Sequence, residues 1–176
     1  IDVQQPFVSV HQLRYRALCS LLADEGMQRN SGTAATPTNQ VLVFCQTKHQ
    51  CDDVEFKLRR AGFAAIAIHG DKSQRQRNEA LYNFKHGRCP ILIASDVAAR
   101  GLDIPNVSLV VNYEMPPTID SYTHRIGRTG RLGRQGRAVT LVSMLSDDVT
   151  HLTNCQDDLC SMFRTAGHPI PELLQR

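Results

Sequence analysis

The sequence of 176 residues lacks the marks of several protein classes. Its six cysteines form no Cys-x-x-Cys pair and no cysteine–histidine block with the spacing of a zinc site. A secreted disulfide scaffold would be shorter and richer in cysteine, so we expect reduced thiols and an intracellular protein, in the cytoplasm or the nucleus. No apolar run approaches ~20 residues and no leader opens the chain, so we expect neither a membrane span nor a secretory signal.

Length and charge leave the class of partner open. The 20 basic residues exceed the 17 acidic ones by +3, a net charge that permits a polyanionic partner without requiring one. The hydrophobic content of 41% is ordinary, and the length suits one domain over residues 1–176. The chain begins at Ile1 instead of methionine, which suggests a piece of a longer protein.

Short apolar runs alternate with helical patterns along the chain. Strands separated by helices need crossover connections, so the alternation predicts an α/β fold with a mainly parallel sheet and helices on both faces. The small polar residues of 28–40 predict a loop. The predicted strands are 8–10, 41–44, 64–68, 90–94, 109–112 and 136–142. The predicted helices are 11–25, 49–60, 74–85, 118–129 and 146–165.

Polar clusters directly follow four of the predicted strands. The clusters are Gln46-Thr47-Lys48, His69-Gly70-Asp71, Ser95-Asp96 and Asn112-Tyr113-Glu114. Ligands of parallel sheets gather at the carboxyl ends of the strands, so four clusters at one edge indicate a functional site. Each cluster also has an ordinary alternative, because a strand-end hydroxyl can be a helix cap and Gly-Asp can be a turn.

The segment 124–131, HRIGRTGR, places three arginines in eight residues, and no acidic residue lies between Asp120 and Asp147. A guanidinium is always charged, and its planar fork matches phosphate oxygens. Arginines three apart on a helix share one face, so the run predicts a phosphate site. A disordered arginine–glycine arm is the alternative. Apolar runs on both sides favour a folded position.

In this order the motifs resemble the second RecA-like domain of DEAD-box RNA helicases, over about residues 8–145. DEAH-type and RecQ-type helicases match less well, because their arginine segments differ and they lack the run at 96–103. The resemblance implies a RecA-like three-layer α/β/α fold. The matching segments are VFCQT at 43–47, HGDKSQxxR at 69–77, SDVAARGLDI at 95–104, VNY at 111–113 and HRIGRTGR at 124–131.

The resemblance also implies a nucleotide surface. Arg128 and Arg131 would act as catalytic arginine fingers on the γ-phosphate of ATP, where they stabilise charge that spreads over the transferred phosphoryl group. Asp103 would accept a hydrogen bond from the ATP ribose, and Gly101 lies beside it in the same motif. His124 and Arg125 would contact the partner domain. The alternative for Asp103 is a plain turn residue.

A second set of residues would bind RNA. By resemblance Thr47, Gly70, Arg77 and Ser95 touch the sugar–phosphate backbone, and such contacts fix register without reading bases. Position 95 is serine where the family usually has threonine, and the hydroxyl is kept. Arg77 on a solvated helix face, with no ligand, is the alternative for that residue.

Two motifs of a complete helicase are absent from the chain. It has no Gly-x-x-x-x-Gly-Lys-[Ser/Thr] and no Asp-Glu-Ala-Asp, so we expect ATP and its Mg²⁺ to be held by an N-terminal RecA-like domain in cis, with no metal bound by this chain. The expected partners are that domain, RNA and accessory proteins, without a membrane. A noncatalytic RNA-binding or scaffold module and half of a DNA helicase are the alternatives. The finger arginines favour the catalytic hypothesis.

Overall fold

The computed structural model describes residues 10–27, 39–105, 107–130 and 136–175. Its helices are α1 (Val10–Asp24), α2 (Lys48–Arg60), α3 (Gln74–Lys85), α4 (Asp96–Ala99), α5 (Ile119–Ile126) and α6 (Asp148–Thr165), with a 3₁₀ turn at Glu172–Leu174. Its strands are β1 (Val41–Cys45), β2 (Ala65–Ile68), β3 (Ile91–Ser95), β4 (Leu109–Asn112) and β5 (Arg137–Thr140). They form one parallel sheet in the order β2-β3-β1-β4-β5.

Both faces of the sheet are covered, which explains why the central strands are continuous apolar runs. Every residue of β1 and β3 is buried. Val43 and Cys45 pack with Leu18 of α1 and Val54 of α2, because alternate residues of a strand point to opposite faces. Phe44, on the other face, packs with residues of α3 and α4. The predicted three-layer α/β/α arrangement with a parallel sheet is confirmed.

A third apolar cluster joins α5, α6 and the 3₁₀ turn. It contains Met115, Leu159 and Leu174, with Ile119 and Tyr122 packed against it. All six cysteines are free thiols, as expected, and four of them are buried. Among the described residues, no helix has the length and apolar character to cross a membrane, and no group of three or more potential ligands could hold a metal ion.

The observed elements differ from the predicted ones mainly at their ends. Val10 starts α1, so the strand predicted at 8–10 is wrong at that residue, and residues 8 and 9 lie outside the described part of the chain. Helix α5 ends at Ile126 instead of 129, with Gly127 as its C-cap residue, and Thr129 pairs with Val107. The four-residue helix α4 was not predicted. Most of the predicted 28–40 loop, residues 28–38, lies outside the described residues.

Candidate functional site

The strand registers bring the predicted clusters to one edge of the sheet. Cys45 pairs with Ser95, Phe44 with Asn112, and Ile68 with Ala94, so the chain leaves β1, β2, β3 and β4 at a common level. The geometry expected from the sequence is therefore confirmed: the residues that follow four strands are neighbours.

Thr47 follows β1 and caps helix α2. Its hydroxyl oxygen accepts a hydrogen bond from the Gln50 N–H at 3.2 Å, and the side chain is exposed. The alternative of a helix cap is thus realised, and it stabilises α2 by about 1 kcal/mol. A hydroxyl that accepts one hydrogen bond still has a proton to donate, so Thr47 can also bind an anion outside the domain.

Gly70 and Arg77 meet in the turn that follows β2. The Arg77 guanidinium donates to the Gly70 carbonyl at 2.9 Å through Nη2, and to the Lys72 carbonyl at 3.2 Å through Nε. Arg77 is half-buried. It is therefore not the freely solvated arginine of the alternative hypothesis, since it holds the backbone of this turn.

Ser95 is the last residue of β3 and precedes α4. Ser95 is buried, and its side chain makes no capping hydrogen bond to α4. The cap alternative for Ser95 is therefore wrong, whereas the same alternative for Thr47 is correct. Ser95 pairs with Cys45 in the sheet register, so it lies beside the end of β1 on the neighbouring strand.

Arg125 and Asp96 form a bidentate ion pair under the site. Arg125 Nε lies 2.6 Å from one Asp96 oxygen and Nη2 lies 2.7 Å from the other. The Arg125 side chain is 1% exposed and also lies over the Phe44 ring, with its Cζ 5.2 Å from the ring centroid. Nη1 approaches the Asn112 side-chain oxygen at 3.5 Å. The structure therefore gives Arg125 a role inside the domain, and the surface for the predicted direct contact with another domain is small.

Gly101 and Asp103 lie in an exposed turn between α4 and β4. Gly101 has φ +76°, a conformation that favours glycine. The Asp103 side chain is 94% exposed, and one of its oxygens lies 2.6 Å from the Lys85 ammonium. The hydrogen bond from Lys85 lowers the pKa of the Asp103 carboxyl. The second carboxylate oxygen remains an acceptor that faces solvent.

Arg128 connects the arginine-rich segment to this turn. Its guanidinium nitrogens lie 3.5 Å from the carbonyl oxygens of Ala99 and Leu102. His124 is exposed, and both side chains line one pocket together with Asp96 and Arg100. Arg131, the second predicted finger, lies outside the described residues.

The sequence did not reveal a buried ionic cluster that supports the same edge. Arg14 of α1 pairs with Asp148 of α6, and its Nη1 lies 3.7 Å from Glu114. Glu114 accepts the Gln46 N–H at 3.1 Å, and a hydrogen bond from the Gln50 side chain. The cluster fixes the loop that presents Thr47. Only Glu114, already noted after its strand, carried any signal in the sequence.

The family model of the helicase conserved C-terminal domain matches residues 14–133. An ATP-dependent RNA helicase DBP3 from Lodderomyces elongisporus is 48% identical over 136 residues, which is 77% of this chain and 24% of that protein. An ATP-dependent RNA helicase DBP2 from Meyerozyma guilliermondii is 45% identical over 137 residues, 78% of this chain and 24% of that protein. The chain thus spans about a quarter of these curated relatives.

Solved structures that resemble this chain are also DEAD-box proteins and RNA helicases. The E. coli DEAD-box protein SrmB, bound to regulator of ribonuclease activity A, has a TM-score of 0.71 and 34% identity over 86% of this chain and 81% of that one. The C-terminal domain of the DEAD-box protein Dbp5 has a TM-score of 0.66 and 30% identity over 84% and 79%. The RNA helicase Prp28 from Chaetomium thermophilum, bound to ADP, has a TM-score of 0.75 and 35% identity over 97% and 38%.

Proposed function

The chain belongs to the helicase conserved C-terminal domain family, in its DEAD-box group, and from this premise we propose that it is the second RecA-like domain of an ATP-dependent RNA helicase. In this proposal one surface of the domain completes a nucleotide site and the strand-end edge binds the RNA backbone. The catalytic activity belongs to the whole helicase, because the chain has no phosphate-binding loop of its own.

The observation that carries the proposal is the contact between Arg128 and the turn that bears Asp103. The guanidinium lies against the carbonyls of Ala99 and Leu102, so a phosphate-matching cation and an exposed carboxylate share one surface. These two groups suit opposite parts of a nucleotide, the phosphates and the ribose hydroxyls. Arg131 is proposed as a second finger from its place in the sequence motif alone.

The residues fit ATP in their chemistry. The exposed Asp103 carboxylate would accept hydrogen bonds from the ribose hydroxyls, and Gly101 would let the backbone approach closely. Bound ATP would supply the phosphoryl group whose transfer to water drives the cycle. Arg128 would place fixed positive charge where that transfer develops negative charge. The ATP phosphates and Mg²⁺ would be held by the N-terminal domain.

Arg125 would act as a positioning residue in this site. It holds Asp96 with two charge-assisted hydrogen bonds, and thereby ties α5, which leads to Arg128, to α4, which leads to Gly101. His124, which is exposed in the same segment, is the better candidate for direct contact with the partner domain.

RNA would lie along the edge formed by the carboxyl ends of β1, β2 and β3. The proposed contacts are the hydroxyls of Thr47 and Ser95, the Gly70 backbone and the Arg77 guanidinium. None of them reads a base, so binding should show little sequence preference. The six free thiols support an intracellular location. Since SrmB is bound to a regulator protein in its structure, we propose accessory protein partners for this helicase as well.

The proposal is tested by two measurements on the isolated chain. It should bind unrelated single-stranded RNAs with similar, salt-sensitive affinities, and it should release no phosphate from ATP above background with or without RNA. Robust ATP turnover by the chain alone would contradict the division between two domains. Failure to bind any RNA would place the RNA site elsewhere.

A further inference from the structure

The turn at His69–Ser73, hereafter the Gly70 loop, has backbone carbonyls that accept hydrogen bonds from within the domain. The His69 carbonyl accepts a hydrogen bond from the Lys72 N–H at 3.1 Å, and the Arg77 guanidinium donates to the carbonyls of Gly70 and Lys72. In the part of the chain that the structure describes, the N–H groups of Gly70 and Asp71 donate to no backbone carbonyl. Two successive N–H groups without a carbonyl partner can donate together to one phosphate.

Side chains of helix α2 also hold the Gly70 loop. Asp52 of α2 accepts from His69 Nε2 at 2.9 Å and from the Lys72 ammonium at 3.0 Å. One turn earlier, the Lys48 ammonium lies 2.7 Å from Asp71. The loop is therefore held by side chains of two helices, α2 and α3.

The hydrogen bond between His69 and Asp52 fixes the orientation of the His69 ring. The residue is 3% exposed, and its Nδ1 is buried without a hydrogen-bond partner among the described residues. Because the Asp52 carboxylate can only accept, the histidine proton belongs on Nε2. A buried ring with one fixed hydrogen bond cannot turn without breaking that bond, so Asp52 sets the orientation of His69 and of the peptide that follows it.

We propose that Asp52 is a positioning residue for RNA: through His69 and Lys72 it keeps the Gly70 and Asp71 N–H groups directed at one backbone phosphate. This inference rests on the proposed RNA-binding function of the strand-end edge. Asp52 touches no RNA itself.

The direction in which RNA affinity changes when Asp52 is replaced distinguishes a positioning role from simple charge repulsion. A carboxylate near a polyanion repels it, so its removal alone should strengthen RNA binding slightly. Loss of positioning should do the opposite, because it removes a well-directed hydrogen bond to phosphate. A hydrogen bond to a charged group has a net value of about 1.5–3 kcal/mol, so Asp52→Ala should weaken binding by about tenfold or more.

The adjacent residue provides a matched control. Asp53 lies on the same helix, its side chain is 50% exposed against 48% for Asp52, and it pairs with Lys57 within α2 instead of reaching the loop. Asp53→Ala changes the net charge equally and leaves the Gly70 loop untouched. It should bind RNA as tightly as the parent, or slightly more tightly.

The experiment measures the dissociation constant of this chain for a single-stranded oligouridylate at several salt concentrations, for the parent, Asp52→Ala, Asp52→Asn and Asp53→Ala. Amide spectra of the same samples follow the Gly70 and Asp71 N–H resonances during the titration. We expect both resonances to shift in the parent and in Asp53→Ala, and to shift much less in Asp52→Ala. Asp52→Asn keeps one acceptor oxygen and should restore part of the affinity, which also covers the case in which the alanine variant does not fold.

The outcomes distinguish a failure of the positioning role of Asp52 from a failure of the proposed RNA function. If the parent binds RNA and Asp52→Ala and Asp52→Asn both bind as tightly as Asp53→Ala, the positioning role is wrong and the proposed RNA function stands. If the parent binds no RNA, or the two amides do not shift, the RNA function of this edge fails and the role of Asp52 fails with it.

Discussion

Replacement of Asp96 by alanine should destabilise the domain strongly, because it removes the carboxylate partner of a buried arginine. Arg125 is 1% exposed and loses two hydrogen bonds, at 2.6 and 2.7 Å. Among the described residues, its remaining hydrogen-bond partner is the Asn112 oxygen at 3.5 Å, a weak contact. Breaking a buried pair by removing one partner costs about 3–5 kcal/mol.

The position of Asp96 suggests the lower end of that range. Its side chain is 26% exposed, so water can reach part of the space that the carboxylate leaves. We therefore expect a loss of about 3 kcal/mol in the free energy of unfolding, which for a chain of this length lowers the Tm by roughly 6–12 °C.

Urea denaturation of three variants checks this magnitude. The exposed pair between Asp53 and Lys57 is the reference, and Asp53→Ala should cost no more than about 0.5 kcal/mol. The double variant Asp96→Ala with Arg125→Met removes the buried charge along with its partner, so it should be more stable than Asp96→Ala alone. If Asp96→Ala costs as little as Asp53→Ala, or if the double variant is the least stable of all, the account of this ion pair is wrong.

Three further predictions concern the two binding surfaces. Arg77→Ala should weaken binding to unrelated RNAs alike, and the slope of log affinity against log salt concentration should become shallower by about 0.7. Ser95→Ala should weaken binding without changing this slope, since a hydroxyl carries no charge. An unchanged slope in Arg77→Ala would exclude a phosphate contact. Asp103→Ala in the whole helicase should raise the KM for ATP far more than it changes kcat, because a ribose contact contributes to binding before and during reaction alike; a pure kcat effect would contradict the ribose role. Partial burial raises the pKa of Asp52, but hydrogen bonds from His69 and Lys72 outweigh the burial and lower that pKa. The ionised Asp52 therefore stabilises the fold above the ordinary carboxyl pKa of about 3.9, and this stability is lost as the pH falls through the lower pKa of the folded state. Unfolding curves from pH 6 to 2 should therefore fall less steeply for Asp52→Asn than for the parent, and identical acid limbs would refute the ionic contacts.

The sequence predicted the sheet well because burial leaves a direct mark on it. Strands covered on both faces must be apolar throughout, and β1, β3 and β4 were located from such runs. The position of the site followed from topology, since residues after parallel strands share an edge. Thr47, Gly70 and Ser95 were placed together on that ground, and the registers agree.

What the sequence did not predict depends on contacts between distant segments. Arg14 meets Asp148 across most of the chain, and no spacing rule connects two such residues. Helix α4 has four residues, too few for a helical period to appear. The resemblance implied that Arg125 contacts the partner domain, and only its position over Phe44 and beside Asp96 shows that it is buried.

The central claim is that Arg128 completes a nucleotide site in a larger RNA-dependent ATPase. The most direct test is phosphate release from ATP by the whole helicase with saturating single-stranded RNA, for the parent, Arg128→Ala, Arg128→Lys and Arg137→Ala. Arg137, the first residue of β5, is an exposed arginine that pairs with Glu25 and not with the turn that bears Asp103, so it controls for the loss of one positive charge. We predict that Arg137→Ala hydrolyses ATP at the parent rate, that Arg128→Ala loses on the order of 10³-fold or more, and that lysine does not replace the guanidinium fork. Parent-like hydrolysis by Arg128→Ala would contradict the claim.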